Sequence, residues 1–325
     1  MAFDDIYGHE KKIEIFRKAL VQKRIAHAYL FSGIPAVGKK TLAIEFLKAL
    51  NCENEESLHD ACGRCSSCRK TGKGTHPDFF LVEADGQFIR IDAIREIQRQ
   101  MKCKPLESGR RMFIIDDADK MNDQSANALL KILEEPSLSN ILILVTSRPY
   151  AMPSTIISRC QHIRFNPLRF ETVAKFLTDR MSMDQESALL LAGLSGGSIG
   201  RAMELNEEDI ITYRTELLKL LSVTRRDDPF SLIHFASFLG MKKKEIKQGL
   251  NILSTFFRDT MVFKETNQEE MVINQDHLSF ISVHAGCLSG EQILQNIELI
   301  ERAGQTIEQN INKSLTLETM AFKLN

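Results

Sequence analysis

The chain contains no tryptophan, only 4 tyrosines, and no uninterrupted apolar run longer than the five residues 141–145. A bilayer needs roughly 20 consecutive apolar residues, so a membrane span is excluded. So few tyrosines and no tryptophan leave little for the stacking platforms that hold single-stranded nucleic acid, and most of the 19 phenylalanines fall at core-like positions. Net charge is also nearly absent, with 42 Lys plus Arg against 43 Asp plus Glu. No bulk positive field draws the chain to DNA or anionic lipid, and any such contact must be a local patch. Seventeen glycines and 8 prolines in 325 residues are too few for a fibrous or low-complexity chain. Residues 1–5 are acidic and lead into no apolar stretch, which argues against a secretory leader and places the chain in the cytoplasm. The length predicts two domains, or three.

What is present is alternation. Ile13, Phe16 and Leu20 recur at helical spacing, short apolar runs at 28–31, 79–82, 112–115 and 141–145 read as strands, the last three short enough to be buried, and His162 to Phe165 has strand character. Between them, Ile91, Ile94, Ile97 and Met101, then Ala126, Leu129, Leu130 and Leu133, keep helical spacing, the second set stopping at Pro136 as a helix must. Strands alternating with helices predict a parallel sheet covered on both faces. Beyond Asn166-Pro167-Leu168 only helical periodicity continues, broken at Gly196-Gly197 and near Asp227-Asp228-Pro229. The fold class is therefore α/β followed by all-α, with a small helical domain and then a helical bundle.

Gly33-Ile34-Pro35-Ala36-Val37-Gly38-Lys39 fits G-x-x-x-x-G-K between a strand and a helix. Glycines there let backbone N–H groups face phosphates, and Lys39 neutralises them. The next position should carry a hydroxyl for magnesium, yet it holds Lys40, and Thr41 comes one residue late. A helix turns 100° per residue, so Thr41 cannot point where residue 40 does. The acidic half of such a site is Asp116-Asp117 after the 112–115 strand, Asp116 toward a metal and Asp117 where a water-activating carboxylate would stand. Asp is one methylene shorter than the Glu this chemistry usually employs, which matters when a base must lie within about 3 Å of its proton. The loop keeps what a nucleotide's phosphates need, but ATP hydrolysis with magnesium is not expected.

Cys52, Cys62, Cys65 and Cys68 form C-x9-C-x2-C-x2-C. Four thiolates satisfy one tetrahedral zinc and leave no position for water, so the site reads as structural. An iron–sulfur cluster is the competing reading, and His59, inside the same segment, could replace one sulfur. The basic clusters Arg225-Arg226 and Lys242-Lys243-Lys244 read as solvated helix faces.

Together these residues resemble the clamp-loader branch of the AAA+ family. The likeness rests on the cysteine module after the phosphate-loop helix, on Gly74-Thr75-His76-Pro77-Asp78, on the segment 116–121 beginning Asp116-Asp117-Ala118, on the segment 127–136 ending Leu133-Glu134-Glu135-Pro136, and on Ser158-Arg159-Cys160. It is firm to about residue 205 and looser beyond. The resemblance implies an AAA+ P-loop parallel-sheet domain over 1–167 with a zinc module at 52–68, a helical lid over 168–207 and a helical oligomerisation domain over 208–325. It implies that Arg159 is an arginine finger acting on a neighbour's ATP site, and that Thr146 and Arg201 match the family's two sensors. With Lys40 and Asp117 in place of the expected residues, it implies a non-motor subunit. Such a subunit works beside gamma/tau-like ATPase subunits and a delta-like subunit within a DNA polymerase holoenzyme, and meets the sliding clamp and primed DNA through the complex. Two other readings stay open: an ATP-hydrolysing gamma/tau-like or other AAA+ ATPase, and a zinc-containing nucleic-acid-binding protein.

Overall fold

The computed structural model describes residues 3–54, 60–86, 88–225, 227–309 and 311–324. Met1 and Ala2 of the acidic start, His59 of the cysteine segment and Arg226 of the basic pair lie outside the described residues.

The chain separates into two compact units, Met1–Phe176 with Gly197–Arg201, and Leu177–Gly196 with Ala202–Asn325. The first contains α1 (Glu10–Val21), β1 (Ala28–Gly33), α2 (Lys39–Leu50), α3 (Ser66–Gly72), β2 (Phe79–Val82), α4 (Ile91–Met101), β3 (Arg111–Ile115), α5 (Asp123–Glu134), β4 (Asn140–Thr146), α6 (Ser154–Ile157), β5 (Gln161–Phe165) and the start of α7 (Phe170–Met181). All strands pair in parallel, in the order β2-β3-β4-β1-β5. Each segment expected as a strand is one: apolar, β-branched and aromatic runs suit the sheet interior, which is buried on both faces, while the edge strand β5 alternates exposed and buried residues. β3 and β4 are buried along their whole length.

Two cores sandwich the sheet. On one face Phe16, Tyr29, Phe31 and Phe46 form an aromatic cluster with Leu42 and Ile143; on the other, Ile94 and Ile97 of α4 and Leu129 and Leu133 of α5 pack on Leu30, Phe113 and Leu142. The strand order sets the site. β1 lies between β4 and β5, with Ser32 beside Thr146 and Gly33 beside Phe165, while Ile115 pairs with both Val82 and Leu144. The carboxyl ends of four strands therefore deliver residues 33, 83, 116 and 146 to one edge, the place where open parallel sheets bind ligands.

The second unit is helical: the end of α7, α8 (Gln185–Leu194), most of α9 (Ile199–Glu207), α10 (Ile210–Val223), α11 (Pro229–Phe238), α12 (Lys243–Thr266), α13 (Leu278–Cys287), α14 (Gly290–Glu308) and α15 (Lys313–Lys323). The breaks expected near 196 and 228 fall between α8 and α9 and between α10 and α11. α12 is central, packing on α13 and α14, and Leu253, Phe256, Ile281, Ile293 and Ile300 of these helices are buried. Side-chain caps start the helices, Asp184 for α8 and Ser289 in a capping box for α14, each worth ~1 kcal/mol.

Candidate functional site

The phosphate loop is built by conformational necessity. Gly38 has φ +102 as it hands the chain into α2, a backbone that side-chain-bearing residues rarely adopt. At Gly33 a Cβ would overlap the Phe165 carbonyl oxygen of the neighbouring strand. The buried His9 ring donates from Nε2 to the Val37 carbonyl at 2.9 Å, and the segment after α8 clasps the loop from the other side. There Ser198 Oγ donates to the Pro35 carbonyl at 2.9 Å and the Gly200 N–H to the Ala36 carbonyl at 3.1 Å. Arg201 follows directly, its N–H on Ser198 Oγ at 3.2 Å, so the expected second-sensor position belongs to a segment docked on the loop.

The two lysines behave differently. Lys39 is buried and folds back onto its own loop, donating to the carbonyls of Gly33 (2.6 Å) and Ile34 (2.7 Å). Burial lowers its pKa below the usual lysine range, against the pull of Asp116, Asp117 and Asp119. Lys40 reaches across the strand ends instead, with Nζ bonded to Glu83 and 3.1 Å from Asp116 Oδ2. Burial works to lower its pKa, but these two carboxylates outweigh it and raise the group above the usual range. Lys40, not Thr41, thus meets the acidic residue at the end of β3. Asp117 has left-handed backbone (φ +49) and pairs with Lys120 at 2.8 Å. Thr146, at the end of β4, gives its hydroxyl to Asp119 at 2.6 Å, and Arg148 donates to the same carboxylate. Burial pushes Asp119 up, yet Thr146 and Arg148 hold it below the ordinary carboxylate value.

Glu83, Asp119 and Arg148 went unrecognised in the sequence. Glu83 follows β2 directly and Asp119 lies three residues past Asp116, but only strand order shows that they join this edge.

Arg159 lies on the surface just past α6. Its guanidinium donates to Glu134 at 2.9 Å and to the Thr155 carbonyl at 3.0 Å, and its side chain is 37% exposed. It does not bond the phosphate loop of its own chain.

The cysteines converge. The sulfurs of Cys52, Cys62, Cys65 and Cys68 all lie within 4.8 Å of one another, and a tetrahedral ion with ~2.3 Å metal–sulfur bonds has sulfur–sulfur edges of about 3.8 Å. Backbone N–H groups already point at these sulfurs: residue 62 at Cys52, residues 64 and 65 at Cys62, and residue 68 at Cys65, at 3.3 to 3.5 Å. Donors of this kind stabilise thiolates, and those from Cys65 and Arg64 bring Cys62 down to about 6. Burial pushes the Cys68 thiol up. The cluster fits a single metal ion.

Gly74-Thr75-His76-Pro77-Asp78 joins this module to the sheet. His76 Nδ1 accepts the Asp78 N–H at 3.0 Å, and the buried Asp78 carboxylate accepts N–H groups of residues 106, 107 and 108 and faces Arg111 at 3.3 Å. Burial works to raise Asp78, but those backbone donors win and hold it below the ordinary carboxylate range. In the helical unit, Lys242, Lys243 and Lys244 pair with Glu245, Glu308 and Glu208, so this basic cluster is internally balanced. Among the described residues, no helix is long and apolar enough to cross a membrane.

Family comparisons agree with this geometry. The family described as DNA polymerase III, delta subunit, matches residues 8–169, and its C-terminal counterpart matches residues 208–325. The chain is 29% identical over 316 residues to DNA polymerase III subunit delta' of Bacillus subtilis (strain 168), covering 96% of this chain and 94% of that one. It is 32% identical to subunit gamma of Buchnera aphidicola subsp. Schizaphis graminum, over 78% of this chain and 71% of the relative. It is 31% identical to subunit tau of Bacillus subtilis, of which it spans 39%. The sheet with its phosphate loop, the four-cysteine cluster, the helical unit and these relatives lead to one conclusion: the chain belongs to the DNA polymerase III clamp-loader family, on its delta-prime branch.

Proposed function

We propose that the chain is a non-motor clamp-loader subunit that supplies Arg159 to the ATP site of a neighbouring gamma/tau-like subunit and turns over no ATP itself. The observation that carries this reading is the Lys40 ammonium against Asp116 and Glu83. Phosphoryl transfer depends on a divalent ion that bridges the β- and γ-phosphates and is held in part by the acidic residue at this strand end. Here that residue is already neutralised by a side chain, while Asp117, engaged with Lys120, is poorly disposed to orient a water. Gly33, Gly38, Lys39 and Thr41, with Thr146 and Arg201 as sensor matches, then form a degenerate nucleotide site.

Arg159 suits action on another chain. A guanidinium is planar and always charged, and at a neighbour's γ-phosphate it stabilises transition-state charge. Its contact with Glu134 is a half-exposed pair worth ~0–1 kcal/mol, weak enough to exchange for a phosphate. The delta-like subunit, the sliding clamp and primed DNA are the remaining partners, reached through the complex.

Cys52, Cys62, Cys65 and Cys68 hold a structural zinc in this reading; when bound, the ion neutralises the thiolates and cross-links their loop, with no open position for chemistry. Four reduced thiols suit the cytoplasm. The division into 1–167, 168–207 and 208–325 belongs to the same proposal.

The test is ATP hydrolysis. In a clamp loader reconstituted with its gamma/tau-like and delta-like subunits, Arg159→Ala lowers partner hydrolysis and clamp loading, by tenfold or more at the affected site. Unchanged hydrolysis overturns the finger. Magnesium-dependent turnover by the isolated chain, abolished by Asp116→Ala, overturns the non-motor assignment.

A further inference from the structure

Lys40 does more than spoil a metal site. Its Nζ contacts two carboxylates from different strands, Glu83 after β2 and Asp116 after β3, with Asp116 Oδ2 at 3.1 Å. The carboxylates are held at adjacent strand ends, where Val82 pairs with Ile115 and the Asp116 N–H donates to the Val82 carbonyl at 2.9 Å. The position from which the ammonium reaches them is the one that carries the metal-binding hydroxyl in phosphate loops of this kind. We infer that Lys40 is the resident cation of this site, so that the loop takes a nucleoside triphosphate or another polyphosphate without a divalent metal. This rests on the degenerate nucleotide site proposed above and deepens it.

The electrostatics are consistent. A divalent ion here would need Asp116 as a ligand, yet Asp116 already faces a positive charge, and a +2 ion beside a +1 ammonium a few Å away is repelled. A triphosphate carries enough negative charge to accept both lysines directly. Lys39 would leave the carbonyls of Gly33 and Ile34, while Lys40 sits on the side of the strand ends that a metal normally fills. Such a site has affinity without the means to hydrolyse, because the single charge of an ammonium neutralises less of the charge that develops across the β- and γ-phosphate oxygens than a bridging divalent ion does.

The experiment compares the full chain with Lys40→Ser, which restores a hydroxyl at the metal position, and Lys40→Met, which removes the charge and adds no ligand. ATP binding is measured by calorimetry in EDTA and in magnesium chloride, and manganese ion alone is titrated by electron paramagnetic resonance. The wild-type ATP Kd is expected to agree within about twofold between EDTA and magnesium, whereas Lys40→Ser tightens about tenfold or more with magnesium. Manganese alone should bind to Lys40→Ser and not to wild type, and Lys40→Met should lose ATP affinity in EDTA. Tenfold tightening of wild type by magnesium overturns the inference and leaves nucleotide binding standing. If no form binds ATP, the degenerate nucleotide site fails, and with it the claim that the loop takes polyphosphate. The manganese titration then decides the cation claim alone: uptake confined to Lys40→Ser supports it, and equal uptake by wild type overturns it.

Discussion

The two ends of α2 face the same physical problem and meet it in opposite ways. At the N-terminal end, Asp116 and Glu83 find their counter-charge in Lys40, a residue of the helix itself. At the C-terminal end, Cys52 joins Cys62, Cys65 and Cys68 in a cluster of sulfurs to which the helix contributes no cation: its last lysine, Lys48, is committed to the buried Glu45 at 2.7 Å. One end is complete as a polypeptide, while the other has four soft ligands and backbone donors arranged for an ion that must come from outside. The difference teaches where each site's vulnerability lies. Chelation should reach the second and leave the first untouched.

With the zinc proposed above bound at the cysteine end, the largest effect should come from removing it. Metal binding to structural cysteine sites is worth roughly 10–16 kcal/mol in small zinc peptides, of which only the part spent ordering the loop and α3 is lost here. Treatment with a strong chelator, or Cys65→Ser, is expected to lower the melting temperature of the sheet unit by ~10 °C, with one equivalent of zinc released and detected colorimetrically. A chain that releases no zinc and melts unchanged would show that the two ends are neutralised alike, from within.

A middle case tests whether burial or the source of the charge sets the scale. Asp78 finds its cation internally, in Arg111, but both are buried, at 0% and 4% exposure of the side chain. Asp78→Asn keeps the shape, removes the charge and leaves the guanidinium underpaired, an expected cost of about 2 kcal/mol or ~4–8 °C. The pH dependence has a definite sign. Because the folded state holds Asp78 below its ordinary value, its contribution is fully present above the ordinary carboxylate range and is lost as pH falls through it. Wild type and Asp78→Asn should thus converge in stability as pH drops from 7 toward 3. A difference that stays constant would remove charge from the explanation.

The sheet and the loop were legible in the sequence because four of the five strands are centred on short apolar runs, the edge strand Gln161–Phe165 alternates instead, and Gly33 to Lys39 announces its own geometry. The displaced hydroxyl was legible too, since Lys40 stands where a Thr or Ser was needed. What Lys40 does instead was not, because Glu83 reaches it only through the β2–β3 pairing, a tertiary fact. Asp78 reads as a loop residue after Pro77, and nothing local says that it caps residues 106–108, about 30 positions later. Arg214 carries the least local signal. A lone arginine in an amphipathic helix reads as surface, yet it is fully buried, bonded to Asn274 and bidentate to Asp276. Periodicity marks which face is apolar and is blind to a charge that finds its partners 60 residues away.

The smallest stability effect should come from the N-terminal end of α2, and it sharpens the contrast most. Lys40 is about a third exposed and Glu83 more than half, so water solvates each partner when the other is removed, and pairs of this exposure contribute ~0–1 kcal/mol. Lys40→Met is therefore expected to shift the melting temperature by no more than about 3 °C in EDTA. Magnesium should leave that shift unchanged, because Met offers the ion no ligand at position 40. A loss as large as that caused by chelating the cysteine end would mean that the Lys40 contacts are structural. A small loss, set beside a large change in metal dependence for Lys40→Ser, would mean that the helix retains its own cation for what it excludes rather than for what it stabilises.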